Sequence, residues 1–103
     1  RLLDAKKSRY KNELEMNNLT ELEWTSSKTA LTELVYALYH SRVINNGKSD
    51  IKEIASTLES VFHFKLGDYY KTFADIKSRK ISRTKFLDDL SASLLSHIEN
   101  SEE

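Results

Sequence analysis

The chain has 103 residues, 39 % of them hydrophobic and 10 % aromatic, enough for one domain with a modest core. It has no cysteine, no proline and only two glycines, which excludes disulfides and thiolate metal sites, fits a reducing compartment, and leaves little to interrupt helices. Sixteen basic and sixteen acidic residues cancel, which taken alone speaks against a polyanion as partner, and no apolar run is long enough for a membrane-spanning helix.

The cancellation is local in origin. Residues 1–11 carry a net +4, residues 12–64 a net −4, residues 65–85 a net +5 and residues 86–103 a net −5. A partner feels the field of the nearest block rather than the sum, so the third block marks a surface suited to an anionic partner.

Taken in chain order, residues 1–18 place Leu2, Leu3, Tyr10, Leu14 and Met16 among charges, a weakly amphipathic helix or the tail of a preceding domain, ending at Asn17-Asn18. The start at Arg1, without Met, leads us to expect a piece of a longer protein. Residues 19–103 form the domain proper. "LTELEWT", Leu19 to Thr25, reads as a short extended piece or, preferably, a connector. Ser26 or Ser27 then caps a helix over 26–44 with Ala30, Leu31, Leu34, Val35 and Leu38 on one face, widened by Tyr36 and Tyr39. Asn46-Gly47 stops it.

"SDIKEIASTLESVF" is the clearest helix. Asp50 and Glu53 have the spacing of a capping box, and Ile51, Ile54, Ala55, Leu58, Val61 and Phe62 make one apolar face. "HFKLGD" breaks the period, with Gly67 for the turn and Asp68 as the next cap. A basic helix over 68–80 follows with Tyr69, Phe73 and Ile76 inward. "ISR" interrupts, and a last helix from Thr84 to about Asn100 turns Phe86, Leu87, Leu90, Leu94, Leu95 and Ile98 to the core. The expected fold is therefore all-α, a small domain of about five helices. The capped apolar helix followed by the basic one has the order of a helix-turn-helix unit over 50–80, although the connection is longer than the usual tight turn.

Catalysis finds little support. His40, His63 and His97 lie in different elements with no Cys or Gly-rich elbow beside them, so the chain is read as a non-enzyme, and His63, between two Phe residues at a helix end, as structural. Asp88 and Asp89 are adjacent and point to different faces, a solvated acidic surface rather than a metal site, and "GKSD" at 47–50 lacks the remainder of a phosphate loop. No metal, cofactor or small-molecule substrate is expected.

On a helical wheel Tyr69, Phe73 and Ile76 fall within about 40° of one direction. Lys71, Ala74, Asp75 and Ser78 lie opposite, with Thr72 and Arg79 on the flank. Small and polar side chains let a helix approach a groove, so Lys71, Thr72, Asp75, Ser78 and Arg79 are placed to reach base edges or phosphates, while Lys77, Lys80, Arg83 and Lys85 suit phosphates. The plainer reading of the same helix is a solvated basic surface over an ordinary core stripe.

Four pieces carry a resemblance: W-T-x-S-K-T-A-L from Trp24 to Leu31, "NNG…DIKEIA" from Asn45 to Ala55, "LGDYY" from Leu66 to Tyr70, and "RTKFLDDL" from Arg83 to Leu90. In this order and spacing they resemble the C-terminal part of the RteC proteins, regulators of tetracycline-inducible conjugative transposons of Bacteroides and relatives. The resemblance implies a cytoplasmic DNA-binding transcriptional activator that switches on an excision operon, and it assigns recognition to the helix from Asp68 to Lys80 without naming individual base contacts. Double-stranded DNA is thus the expected partner. A second reading, of another class, is a helical protein-interaction or oligomerisation module without DNA contact, using an exposed Tyr36 and Tyr39 and pairing the +5 and −5 blocks between copies.

Overall fold

A computed structural model describes residues 20–102 of the chain. They form four α-helices, α1 (Lys28–His40), α2 (Ile51–Phe62), α3 (Tyr69–Lys77) and α4 (Lys85–Ser101), with a 3-10 turn at Asn45–Gly47, and no strand is found among the described residues. The all-α class stands; the fifth helix expected over residues 1–18 lies outside the described residues.

α1 starts where Ser27 accepts the Ala30 amide on its hydroxyl oxygen at 3.0 Å. α2, α3 and α4 each pack on α1, and among the described residues no other pair of helices packs as extensively. That central position explains why α1 buries not only Leu31 and Val35 but also Thr32 and Glu33, which a one-sided amphipathic helix would expose. The helix ends at His40, four residues before the expected boundary. Ser41 turns its hydroxyl back to the Leu38 carbonyl at 3.1 Å, and Arg42 adopts a left-handed φ of 60°. Ending there lets Ile44, in extended conformation, come back against the core before Asn45, Asn46 and Gly47 make the turn at positive φ.

Both halves of the capping box on α2 are formed: Asp50 accepts the Glu53 amide at 2.9 Å and donates its own to the Glu53 carboxylate at 3.5 Å. A cap of this kind stabilises a helix by about 1 kcal/mol. Ile54 and Ala55 are buried against Leu31 and Val35, and Leu66 completes the cluster from the α2–α3 connector. The sequence reading passed over Leu66, yet it is fully buried, and its amide donates to the Glu59 carboxylate at 2.7 Å. The two contacts hold an otherwise irregular segment in place, with Gly67 turning it at a φ of 64°. His63 takes the left-handed conformation that closes α2 and donates a ring N–H to the Thr20 carbonyl at 3.0 Å.

Residues 20–25 are a connector, neither helix nor strand. The Trp24 amide donates to the Phe62 carbonyl at 3.1 Å, and the indole packs on Phe62 and Phe86, each 5.5 Å away between centroids. Trp24 is thereby a packing anchor joining the ends of α2 and α4.

The helix packing bears on two expectations. α2 and α3 each pack chiefly on α1, and this packing leaves the helix-turn-helix-like pair expected over 50–80 unconfirmed. On α4 only Phe86 and Leu87 are partly covered; Leu90, Leu94, Leu95 and Ile98 are exposed, because beyond its first turns the helix has no neighbour among the described residues.

Candidate nucleic-acid interface

α3 is seated on α1 chiefly through aromatic contact. Tyr36 and Phe73 stack at 3.7 Å with ring planes 4° apart, and Tyr69 meets Tyr36 edge-on at 6.4 Å. Tyr36 is therefore buried, at 7 % exposure, and cannot supply the exposed partner-binding ring expected of it in the interaction-module reading. Burial and the neighbouring Tyr70 and Asp68 charges push the Tyr36 phenol up. Burial first, then the hydrogen bond and charge of Tyr70, push Tyr69 from 10.0 up to about 12. Both rings are neutral structural groups at physiological pH.

The cap of α3 is Asp68, whose carboxylate accepts the Lys71 amide at 3.1 Å. The helix closes at Ser78, with its hydroxyl on the Asp75 carbonyl at 2.7 Å. This places Lys71, Ala74, Asp75 and Ser78 outward, in agreement with the wheel, and turns Tyr70, which lies at the boundary of the wheel, outward as well. Thr72 is the exception. It is 8 % exposed and donates its hydroxyl to the Asp68 carbonyl at 3.3 Å, so its flank position turns inward against α1 and it is removed from the set that could touch a partner.

The cations from Lys71 to Lys85 sort into three groups. Lys71 and Lys80 are exposed and form no ion pair among the described residues. Lys77 leans over the Phe73 ring, with its ammonium 5.4 Å from the centroid, and lies near the helix C-terminus, where the helix dipole favours positive charge.

Arg79, Arg83 and Lys85 have local partners. Arg79 pairs with the buried Glu33 at 3.5 Å and donates to the Ser82 carbonyl at 3.3 Å. Arg83 donates its Nε–H to the Arg79 carbonyl at 2.7 Å, and Lys85 pairs with Asp89 at 3.0 Å. These bonds fold the α3–α4 connector into a defined loop, with Ser82 at a φ of 55° and Ile81 and Lys80 outside. Arg79 and Arg83 are thus loop-forming residues in addition to being positive charges.

Glu33 is the residue that sequence reasoning missed. Its carboxylate also accepts the Leu87 amide at 2.9 Å, so one buried side chain of α1 holds both the α3–α4 connector and the first turn of α4. A carboxylate inside the otherwise apolar run "ALTELVY" was the available signal, since an acid in such a run is tolerated when it is paired.

The result is an all-helical domain presenting one basic edge, formed by the outer side of α3 and the connector that follows it. The family model described as RteC protein matches residues 1–102, and the chain belongs to the RteC family. No curated protein and no solved structure matched the chain.

Proposed function

We propose that the chain is a non-enzymatic, duplex-DNA-contacting part of a bacterial transcription regulator, one that activates an excision operon of a tetracycline-inducible mobile element. Membership of the RteC family supports the regulatory reading. The observation that carries the DNA reading is the placement of the +5 block. Two of its exposed cations, Lys71 and Lys80, stand at the two ends of a helix-and-loop edge whose inner side is seated on α1 by the Tyr36–Phe73 stack. A rigidly seated positive edge can meet phosphates without ordering cost at the moment of binding. Tyr70, 60 % exposed beside Lys71, adds a flat apolar surface to the same edge.

Binding to a pool of random duplex DNA at low and at moderate salt tests this reading. Three or four phosphate contacts predict a log–log salt slope of about −3, and sequencing of the bound fraction reports whether bases are read. Absence of binding even at low salt would remove DNA as the partner.

A further inference from the structure

The connector between α3 and α4 carries an apolar tip. Ile81 is 81 % exposed, more than any other large hydrophobic side chain among the described residues, and it stands between Lys80 and Ser82 on the outside of the loop. A single exposed aliphatic side chain is ordinary by itself. This one differs in how it is held. Ser82, in the left-handed region at a φ of 55°, turns the chain just after Ile81, and its carbonyl accepts two donors, the Arg79 guanidinium at 3.3 Å and the Lys85 amide at 3.2 Å. The Arg83 Nε–H closes the other side on the Arg79 carbonyl at 2.7 Å. Through Arg79 the loop is tied, at 3.5 Å, to the buried Glu33 and so to the interior of α1. These bonds join residues on either side of Ile81 and leave it outside the bonded ring, where a side chain branched at Cβ has few rotamers to lose.

The charge around the tip has one sign. Residues 76–87 hold five cations, Lys77, Arg79, Lys80, Arg83 and Lys85, and no acid. Arg79 is engaged with Glu33 and Lys85 with Asp89, whereas Lys80 and Arg83, one and two residues from Ile81, are exposed. Two residues of extended chain span at most about 7 Å, so both cations stay close to the tip. An apolar corner on a braced loop with a cation on either side fits a partner that offers an apolar slot between two rows of anions. One isoleucine buries too little to hold a domain at a bilayer surface, for which a whole amphipathic face is used.

Resting on the reading of the +5 block as a DNA-contacting edge, we propose that Ile81 is a wedge that enters the minor groove between two base pairs and kinks the duplex, while Lys80 and Arg83 take the phosphates bordering the groove. The minor groove, about 6 Å wide, separates two phosphate rows, and an apolar side chain inserted from that side unstacks one step and bends the duplex by about 20–90°. Steps that unstack readily, TA and CA/TG, are thereby preferred without a hydrogen bond to any base. The domain selects its site in part by deformability and leaves the bound duplex bent, whether or not the outward side of α3 reads base edges.

A duplex of about 20 base pairs with one central TA step and a donor and an acceptor dye at its ends reports binding by anisotropy and bending by energy transfer. The full chain should bind it and raise the energy transfer, and should bind the same duplex with AA in place of TA about tenfold more weakly. Ile81→Ser, at an exposed position, should leave the circular dichroism spectrum, the unfolding midpoint and the salt slope of binding unchanged. It should nevertheless abolish both the rise in energy transfer and the preference for TA, and Ile81→Leu should keep both. A straight bound duplex, or bending that persists in Ile81→Ser, would overturn the wedge and leave the DNA reading standing. No binding of the parent chain at low salt would overturn both. Binding to vesicles of phosphatidylserine and phosphatidylcholine that depends on Ile81, with no duplex bent, would overturn the wedge and assign the tip to a lipid surface.

Discussion

Glu33 on α1 accepts the backbone N–H of Leu87, 54 residues later in the chain, at 2.9 Å. The contact supplies from outside the helix what Thr84, the residue at the N-cap of α4, does not, for the Thr84 hydroxyl is turned to the Asp88 carboxylate instead of to an amide. With Arg79 as its ion partner, Glu33 makes the placement of α4 dependent on the interior of α1. Glu33→Ala leaves the Leu87 amide without its acceptor and Arg79 without its carboxylate, and should lower unfolding stability by about 2 kcal/mol in urea titration. An unchanged midpoint would show that α4 holds its position without this contact.

Arg79 provides a sharper distinction. Its side chain is 32 % exposed, so after allowance for solvent screening Arg79→Ala should cost only about 1 kcal/mol of stability. If the residue acts only by shaping the connector, duplex affinity of the folded variant falls less than for Lys71→Ala. Equal losses of affinity in two equally stable variants would make Arg79 a direct contact.

Lys71 and Lys80 are exposed on the basic edge and form no ion pair among the described residues. Their double replacement by Ala should weaken duplex binding about tenfold at moderate salt and make the salt slope shallower by about 2, with thermal unfolding unchanged. Tyr36→Ala should act oppositely, losing about 3 kcal/mol of stability by opening a cavity under Phe73 while leaving the charges themselves intact. Unfolding curves recorded beside binding isotherms separate the two.

Stability should be insensitive to the phenols up to about pH 10 and fall from there towards pH 12. The sign follows from Tyr69: its phenol is raised from 10.0 to about 12 in the folded state, so between those values the folded chain holds a proton that the unfolded chain has released. Tyr36, raised in the same direction, adds to the effect. In Tyr69→Phe the loss over this window should be smaller than in the parent chain, as followed by circular dichroism at fixed denaturant.

Asp50→Ala removes the side-chain half of the capping box, the acceptor for the Glu53 amide, and should cost about 1 kcal/mol; Asp50→Asn, which keeps such an acceptor, should cost less. The difference between the two variants in a urea titration measures the cap itself.

The sequence by itself determined the features that depend on near neighbours. The capping box at Asp50 and Glu53, the cap at Asp68, the apolar face of α2 and the outward side of α3 all follow from residues three or four apart, because helix geometry places those side chains together whatever the rest of the chain does. Only the tertiary structure decided the rest. Thr72 is inward because α1 covers the flank as well as the centre of α3, Leu66 is core because Glu59 draws its amide in, and Leu94 is exposed because α1 reaches only the first turns of α4. Tyr36 was legible as part of an apolar stripe but not as the seat of Phe73, since a stack between residues 37 positions apart depends on how two helices cross. The all-helical class and the position of the basic edge are local properties repeated along the chain. Which cations remain free on that edge depends on Glu33, whose partners, Arg79 and Leu87, are brought to it only by the fold.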